Sequence, residues 1–200
     1  MLKLYYIPKT RSSRARWMLE ELRVPYQLVR MTFEEARKPD YRRIHPLGAV
    51  PVLSDGETTV FESAAIIAYL ADRFPERGFA PPTSSPQRGV YYQWIIYAMA
   101  TLEPCLTAFM AHTAKRPERD RVPIVAEDSR AEFIRAARPV DEAIRDRPFL
   151  LGEKISATDV VLGSVVNWAA TAKLIDDFSG LQAYVERLRA RPAFQAARKD

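Results

Sequence analysis

Two hundred residues, 48% of them hydrophobic, are enough to bury a core in one large domain or two modest ones. A single cysteine, Cys105, rules out an intrachain disulfide, a multi-cysteine metal site and a Cys-x-x-Cys redox pair, and with only His45 and His112 besides, no metal centre is expected. The net charge of +5 is unevenly placed: residues 1–45 hold eleven Lys/Arg against five Asp/Glu and the remainder nineteen against twenty, a bias that suits a small anionic ligand.

A pI near 9.4 would also suit nucleic acid. The basic residues, however, are scattered among acids rather than striped with aromatics, so no nucleic-acid partner is expected. The longest apolar stretches, Val160 to Val166 and Trp94 to Leu102, read as too short or too interrupted to span a bilayer, and no membrane partner is expected either. The N-terminus runs straight into a strand-like pattern with Pro8 close behind, not into a signal-peptide core, which points to a cytoplasmic address.

From Leu2 to Ile7 the chain reads as a short buried strand, and from about Ser12 to Arg23 the residues Ala15, Met18, Leu19 and Leu22 recur at helical spacing. Val24 to Val29 resumes an extended pattern, and the polar stretch through Arg43 has weak helical character. Val50 to Leu53, the turn signal Ser54-Asp55-Gly56, and Thr58 to Phe61 read as a hairpin. A helix follows from Glu62 to about Phe74, with Ala65, Ile66, Tyr69 and Leu70 on one side. Residues 75–86 carry Pro75, Pro81, Pro82 and Pro86 with Gly78, Ser84 and Ser85, the composition of a linker. Beyond it only helical patterns remain, at about 87–112, 124–146 and 156–173, then a shorter terminal pair. The expected organisation is an α/β domain over 1–78 followed by an all-helical domain over 87–200.

Two short motifs carry chemistry. Pro51 lies at the mouth of a hairpin strand, where its missing N–H is tolerated at a trans strand start or in a cis Val50-Pro51 bond. In the cis case the Val50 N–H and C=O face outward and can pair with an extended peptide, as an added strand does. Glu62-Ser63 opens a helix, where unpaired N–H groups and the positive end of the dipole favour an anion. The pair is either a plain helix start or a grip for the zwitterionic end of an amino acid, Ser63 donating to its carboxylate and Glu62 facing its ammonium.

The order strand, polar loop, helix, then His45-Pro46-Leu47-Gly48-Ala49-Val50-Pro51-Val52-Leu53, then Glu62-Ser63, resembles the thioredoxin-like domain of the glutathione transferase superfamily, with its Asn-Pro-x-Gly-x-Val-Pro-x-Leu pattern and following Glu-Ser. A second match lies in Gly152 to Val160, which is similar to the family's helix-start signature. Its physics is local: Ser156 can cap the helix beginning there while Asp159 reaches back to the Ser156 N–H.

The resemblance spans nearly the whole chain and implies the glutathione transferase fold, a thioredoxin-like N-terminal domain plus an all-α C-terminal domain. It further implies glutathione as co-substrate, a homodimer and a role in detoxification. Val50 and Pro51 would meet the cysteinyl backbone of glutathione, and Glu62 and Ser63 its γ-glutamyl end. His45 stands where the family usually has Asn, and Leu47 and Ala49 stand where several members place Lys and Gln toward the glycyl carboxylate, leaving Arg11, Arg37 or Lys38 to supply that charge. The thiol-activating hydroxyl would come from Lys9-Thr10-Arg11-Ser12-Ser13, with Ser12 ahead of Thr10, and a helix N-cap as the alternative role of Ser12. Arg11 aligns closest to the position that holds cysteine in one bacterial class, so the chain resembles a serine/threonine-loop type rather than a cysteine type. Tyr97 and Met110, with Tyr91, Tyr92 and Trp94, are candidates to line an apolar pocket for a hydrophobic electrophile, the alternative being core or dimer contacts. The activity implied is conjugation of the glutathione thiolate; the alternatives are glutathione-dependent disulfide or peroxide reduction, isomerisation, and a non-catalytic interaction protein on the same fold.

Overall fold

The computed structural model describes residues 1–199 and divides into two compact units, Met1–Ala80 with the chain from Arg189 onward, and Pro81–Leu188. The sequence reading carried the last dozen residues with the helical domain; they cluster with the first unit instead.

In the first unit β1 (Leu2–Tyr6), β2 (Tyr26–Arg30), β3 (Val52–Asp55) and β4 (Thr58–Phe61) form one sheet in the order β2-β1-β3-β4. β1 and β2 are parallel, which requires a crossover, and α1 (Ser12–Leu22) supplies it. β1–β3 and β3–β4 are antiparallel, the latter a hairpin turning at Gly56 with φ +61°. α1 buries Ala15, Met18, Leu19 and Leu22, the stripe its spacing predicts, and stops where Arg23 turns left-handed and its N–H closes onto the carbonyls of Leu19 and Glu20.

The stretch between β2 and β3 folds as two single-turn helices, α2 (Phe33–Ala36) and α3 (Pro39–Arg42). Thr32 and Glu35 form a capping box that starts the first, and Pro39 restarts the chain in the second. Ala36 and Tyr41 from this stretch pack with Ile7 and Val52 into a small core of their own. α4 (Ser63–Arg73) follows β4 and buries Ser63, Ile66, Ile67, Leu70 and Ala71. The stripe expected from sequence is rotated: Ala65 is exposed and Ile67 takes the inward place, because packing against α1 fixes a phase that the run Ala-Ala-Ile-Ile leaves open.

The second unit is helical throughout. Gln87–Lys115 is a 29-residue helix made of α5 (Gln87–Tyr97), a π turn over Ala98–Leu102, α6 (Glu103–Met110) and a second π turn over Ala111–Lys115. Pro104 has no N–H for the helical ladder, and the wide turn directly before it absorbs that break. By length and apolar composition alone this helix reaches the range that crosses a bilayer, which the sequence reading had put out of reach. Its inward residues Tyr91, Trp94, Ile95, Ala98, Leu102 and Leu106 are buried, and the run packs on α7 (Pro123–Ile144) and α8 (Ala157–Thr171).

α8 begins at Ser156, as its motif predicts. Asp159 is fully buried; its carboxylate accepts from the Ser156 N–H at 2.8 Å, the Ser156 hydroxyl at 2.7 Å, the Leu150 N–H at 2.9 Å and the Tyr184 hydroxyl at 2.9 Å. Burial pushes the Asp159 carboxyl up, and those donors pull against it. Tyr184 belongs to α9 (Ser179–Arg189), so one carboxylate ties a helix start, the preceding loop and a later helix together.

The chain then returns to the first unit as α10 (Pro192–Ala196). Phe194 meets Trp17 edge-on at 4.9 Å. Arg191 forms a bidentate pair with Glu21 at 2.6 and 2.7 Å, and the Trp17 indole N–H donates to the same carboxylate at 2.9 Å.

Candidate ligand site at one end of the sheet

Strand register gathers the candidate residues. Tyr5 pairs with Val52, and Val52 with Phe61. Because β3 runs against its neighbours, its entrance at Val50-Pro51 lies at the same end as the exit of β1 toward Thr10 and Ser12 and the exit of β4 toward Glu62 and Ser63. Adjacent strands stand about 4.7–4.9 Å apart, so these three segments fall within roughly 10 Å across the sheet. The exit of β2 joins them, with the Met31 N–H donating to the Tyr6 carbonyl at 2.9 Å.

The Val50-Pro51 bond is cis, the second of the two alternatives open in the sequence. The loop ahead of it is held from below. Gly48, at φ +61°, lies against the Ala36 carbonyl so closely that a Cβ would collide with it. His45 is 5% exposed, its Nδ1 accepts the Leu47 N–H at 3.2 Å, and its ring tilts on Phe61 at 4.9 Å, so it shapes the turn from inside. The Tyr41 hydroxyl donates to the Ala49 carbonyl at 2.9 Å. Among the described residues nothing bonds the Val50 N–H or C=O, and Val50 is half-buried.

Glu62 has φ +71° and ψ 116°, a conformation that non-glycine residues avoid and that clusters at ligand clamps. Its exposed carboxylate has no partner among the described residues. Ser63, 3% exposed, opens α4, and its hydroxyl has no hydrogen-bond partner among the described residues. The N–H groups of that first turn lack intrahelical acceptors. Two polar side chains and a helix mouth therefore stand unsatisfied side by side.

At the start of α1 the arrangement differs from a simple serine cap. Arg11, not Ser12, is the N-cap, and the Ser12 N–H donates to Thr10 Oγ1 at 3.2 Å. Ser12 is fully buried; its Oγ accepts the Ile7 N–H at 3.2 Å and lies 2.8 Å from the Ile7 carbonyl. Thr10 is half-buried, with Oγ1 2.8 Å from the same carbonyl and 2.7 Å from Ser12 Oγ. Lys9, at φ +59°, and Arg11 are exposed on either side of Thr10. Arg14 is buried in the next turn, and the Arg16 guanidinium lies 5.4 Å over the Tyr6 ring. Lys9, Arg11, Arg14 and Arg16 thus add positive charge around the end of α1 where the helix dipole is also positive.

In the helical unit the Tyr97 hydroxyl donates to the Ala136 carbonyl on α7 at 2.9 Å, and its ring meets Trp94 at 5.6 Å. Met110, the last residue of α6, is half-buried. The Cys105 thiol donates to the Thr101 carbonyl at 3.3 Å, and burial pushes it up. His112 accepts the Val122 N–H on Nδ1 at 3.0 Å. Among the described residues no group of His, Cys, Asp and Glu is placed to hold a metal ion. Tyr41 and the inward turn of Ser12 escaped the sequence reading, since each depends on a partner that only the tertiary fold brings close.

The mixed four-stranded sheet with its helices, followed by an all-helical unit, defines a thioredoxin-like domain joined to a helical domain. Residues 1–72 match the family model of the glutathione S-transferase N-terminal domain, and residues 116–187 that of the C-terminal domain. Glutathione S-transferase GST-4.5 of Xanthomonas campestris is 28% identical over 98% of this chain and 97% of its own. The disulfide-bond oxidoreductase YfcG of Escherichia coli is 27% identical over 96% of this chain and 92% of its own. The crystal structure of the theta class glutathione S-transferase from Xanthomonas axonopodis pv. citri, with glutathione bound, superposes with a TM-score of 0.86 at 25% identity, over 100% of this chain and 97% of that one. The chain belongs to the glutathione transferase superfamily and is a glutathione transferase enzyme.

Proposed function

We propose that the cluster at this sheet end binds glutathione and that the enzyme conjugates its thiolate to a hydrophobic electrophile. The observation that carries this reading is the convergence at one sheet end of an unpaired peptide edge at Val50 and an unpaired hydroxyl at Ser63. Val50, ahead of cis Pro51, pairs with the cysteinyl backbone. Ser63 and the α4 N–H groups take the γ-glutamyl carboxylate, and Glu62 its ammonium. Thr10 and Ser12 supply the hydroxyl chemistry at the sulfur, in the positive field of Arg11 and the α1 N-terminus. Arg37 and Lys38, exposed on the stretch that backs Gly48, are the cations for the glycyl carboxylate, with His45 shaping the loop between. Tyr97 and Met110 line the electrophile's pocket in the helical unit, and no metal takes part.

Isothermal titration of the whole chain with glutathione, followed by initial rates with an aryl halide electrophile, tests the reading. Saturable binding at millimolar ligand or below and a glutathione-dependent rate are expected. Absence of binding at millimolar glutathione would end it.

A second reading, glutathione-dependent reduction of disulfides, is favoured by the likeness to a relative named for disulfide-bond oxidoreduction. Cys105 is poorly suited to lead such chemistry, since it is half-buried with its thiol pushed up by burial. The reducing thiol would be that of glutathione at the same cluster. Running the aryl halide beside a small mixed disulfide separates the two by relative turnover.

We also propose a homodimer. Leu47 is 81% exposed at the tip of its loop and Ile96 is 63% exposed on α5, apolar surfaces that a second copy would cover. Leu47→Glu should shift the sedimentation profile toward monomer without unfolding the chain; an unchanged profile would remove Leu47 from the interface.

A further inference from the structure

We infer that Tyr41 is a positioning residue for the ligand site: its hydroxyl sets the direction in which the Val50 N–H points, and so governs how well the site holds the cysteinyl carbonyl of glutathione. The inference rests on glutathione occupying the cluster at this sheet end and deepens that reading by adding a residue that acts through the loop rather than on the ligand.

A peptide unit is planar, and in the trans form its C=O and N–H point in opposite directions. Ala49–Val50 is such a unit, since the cis bond in this loop is the one that follows it. The Tyr41 hydroxyl donates to the Ala49 carbonyl at 2.9 Å, which pins that oxygen toward α3 and sends the Val50 N–H the other way. Tyr41 is 5% exposed while Ala49 lies at the surface, so a carbonyl that water could otherwise claim is drawn inward by a buried side chain. Burial holds the Tyr41 phenol well above the ordinary tyrosine range, so it stays protonated and keeps donating.

The same residue holds both ends of the loop. Where the loop begins, the Tyr41 backbone carbonyl accepts the Ile44 N–H at 2.8 Å and the His45 N–H at 2.9 Å; where it ends, the hydroxyl takes Ala49. Between them the Leu47 N–H goes to His45 Nδ1 at 3.2 Å and the Gly48 N–H to the His45 carbonyl at 2.8 Å. Those bonds fix residues 44–48. Among the described residues the Ala49–Val50 plane has the Tyr41 hydroxyl as its hydrogen-bonded anchor, and the Tyr41 ring is in turn held against Tyr5 at 5.6 Å and packed with Ile7, Ala36 and Val52. Without the hydroxyl the Ala49 carbonyl is free to turn to water, and the plane can rotate until the Val50 N–H no longer faces a ligand. Binding then draws only on the fraction of molecules with that N–H outward, and the apparent affinity falls in proportion.

The test compares wild type and Tyr41→Phe on three thiols: glutathione, γ-glutamylcysteine and γ-glutamylcysteamine. γ-Glutamylcysteine lacks the glycine but keeps an oxygen acceptor where glutathione has its cysteinyl carbonyl; γ-glutamylcysteamine lacks the glycine and that acceptor too. Titration calorimetry gives the affinities, directly for glutathione and by displacement of glutathione for the other two. Tyr41→Phe should weaken glutathione and γ-glutamylcysteine by about threefold to tenfold, leave γ-glutamylcysteamine as in wild type, and leave kcat at saturating glutathione unchanged. A tyrosine that only stabilises the fold would penalise all three ligands alike, so equal losses, or none, overturn the assignment. Phenylalanine keeps the ring contact with Tyr5, and a second measurement needs no variant at all. With valines labelled by nitrogen-15, the Val50 amide of free wild type should exchange rapidly with solvent and slow when glutathione is added. A Val50 amide already protected in the free protein overturns the inference, whether or not Tyr41→Phe folds. If wild type does not take up glutathione at millimolar concentration, the underlying reading falls and this inference with it; glutathione bound by wild type, with no discrimination among the three ligands in Tyr41→Phe, sinks this inference alone.

Discussion

Asp159→Ala is expected to lower stability by about 3–5 kcal/mol, because it strands three buried donors at once, the Leu150 N–H, the Ser156 N–H and the Tyr184 hydroxyl. Ser156 loses its acceptor too, but its hydroxyl lies beside Thr158 Oγ1 and can turn there. Against a total of about 5–15 kcal/mol for an ordinary chain, that is about a fifth of the margin or more. For a chain of this length each kcal/mol moves Tm by about 2–4 °C, so scanning calorimetry should show a fall of roughly 6–20 °C. Asp159→Asn keeps volume and one acceptor oxygen while placing an amide donor among donors, and should lie between alanine and wild type. An asparagine variant as stable as wild type would mean that packing, not the accepted hydrogen bonds, holds the start of α8.

Ser63→Ala is expected to weaken glutathione binding by about tenfold to a hundredfold, the worth of one hydrogen bond to a charged group at about 1.5–3 kcal/mol. The same change should leave the free protein's stability within about 0.5 kcal/mol of wild type, since the Ser63 hydroxyl has no hydrogen-bond partner among the described residues to lose. That combination separates a ligand contact from a structural one. Titration calorimetry gives the affinity and a thermal melt without ligand gives the stability. Undiminished affinity would take the γ-glutamyl carboxylate away from the mouth of α4.

Much of the site could be read before any coordinates, and the reasons are local. Val50-Pro51 at a strand entrance and Glu62-Ser63 at a helix start are backbone statements, made by proline's missing N–H and by the order of elements, so they survived into three dimensions. Ser156 and Asp159 likewise lie within one turn of each other. Ser12 was different. Its spacing marked a helix start, but whether its hydroxyl points out or in depends on the Ile7 peptide five residues earlier, which no periodicity encodes. Tyr41 reaches Ala49 only because α3 folds back under the loop. Ala65 and Ile67 exchanged places because the run Ala64-Ala65-Ile66-Ile67 is apolar on two adjacent faces, and packing against α1 chooses between them. The final residues looked like one more amphipathic piece of the helical region; the guanidinium of Arg191 and the carboxylate of Glu21, 170 positions apart, assign them elsewhere.

The late return of the chain bears on how the gene can be divided. Cutting after residue 80 would strip Phe194 from the indole of Trp17 and remove the Arg191 counter-ion of the Glu21 carboxylate. A stand-alone thioredoxin-like piece or a chimera with a foreign helical half therefore needs the closing dozen residues grafted back.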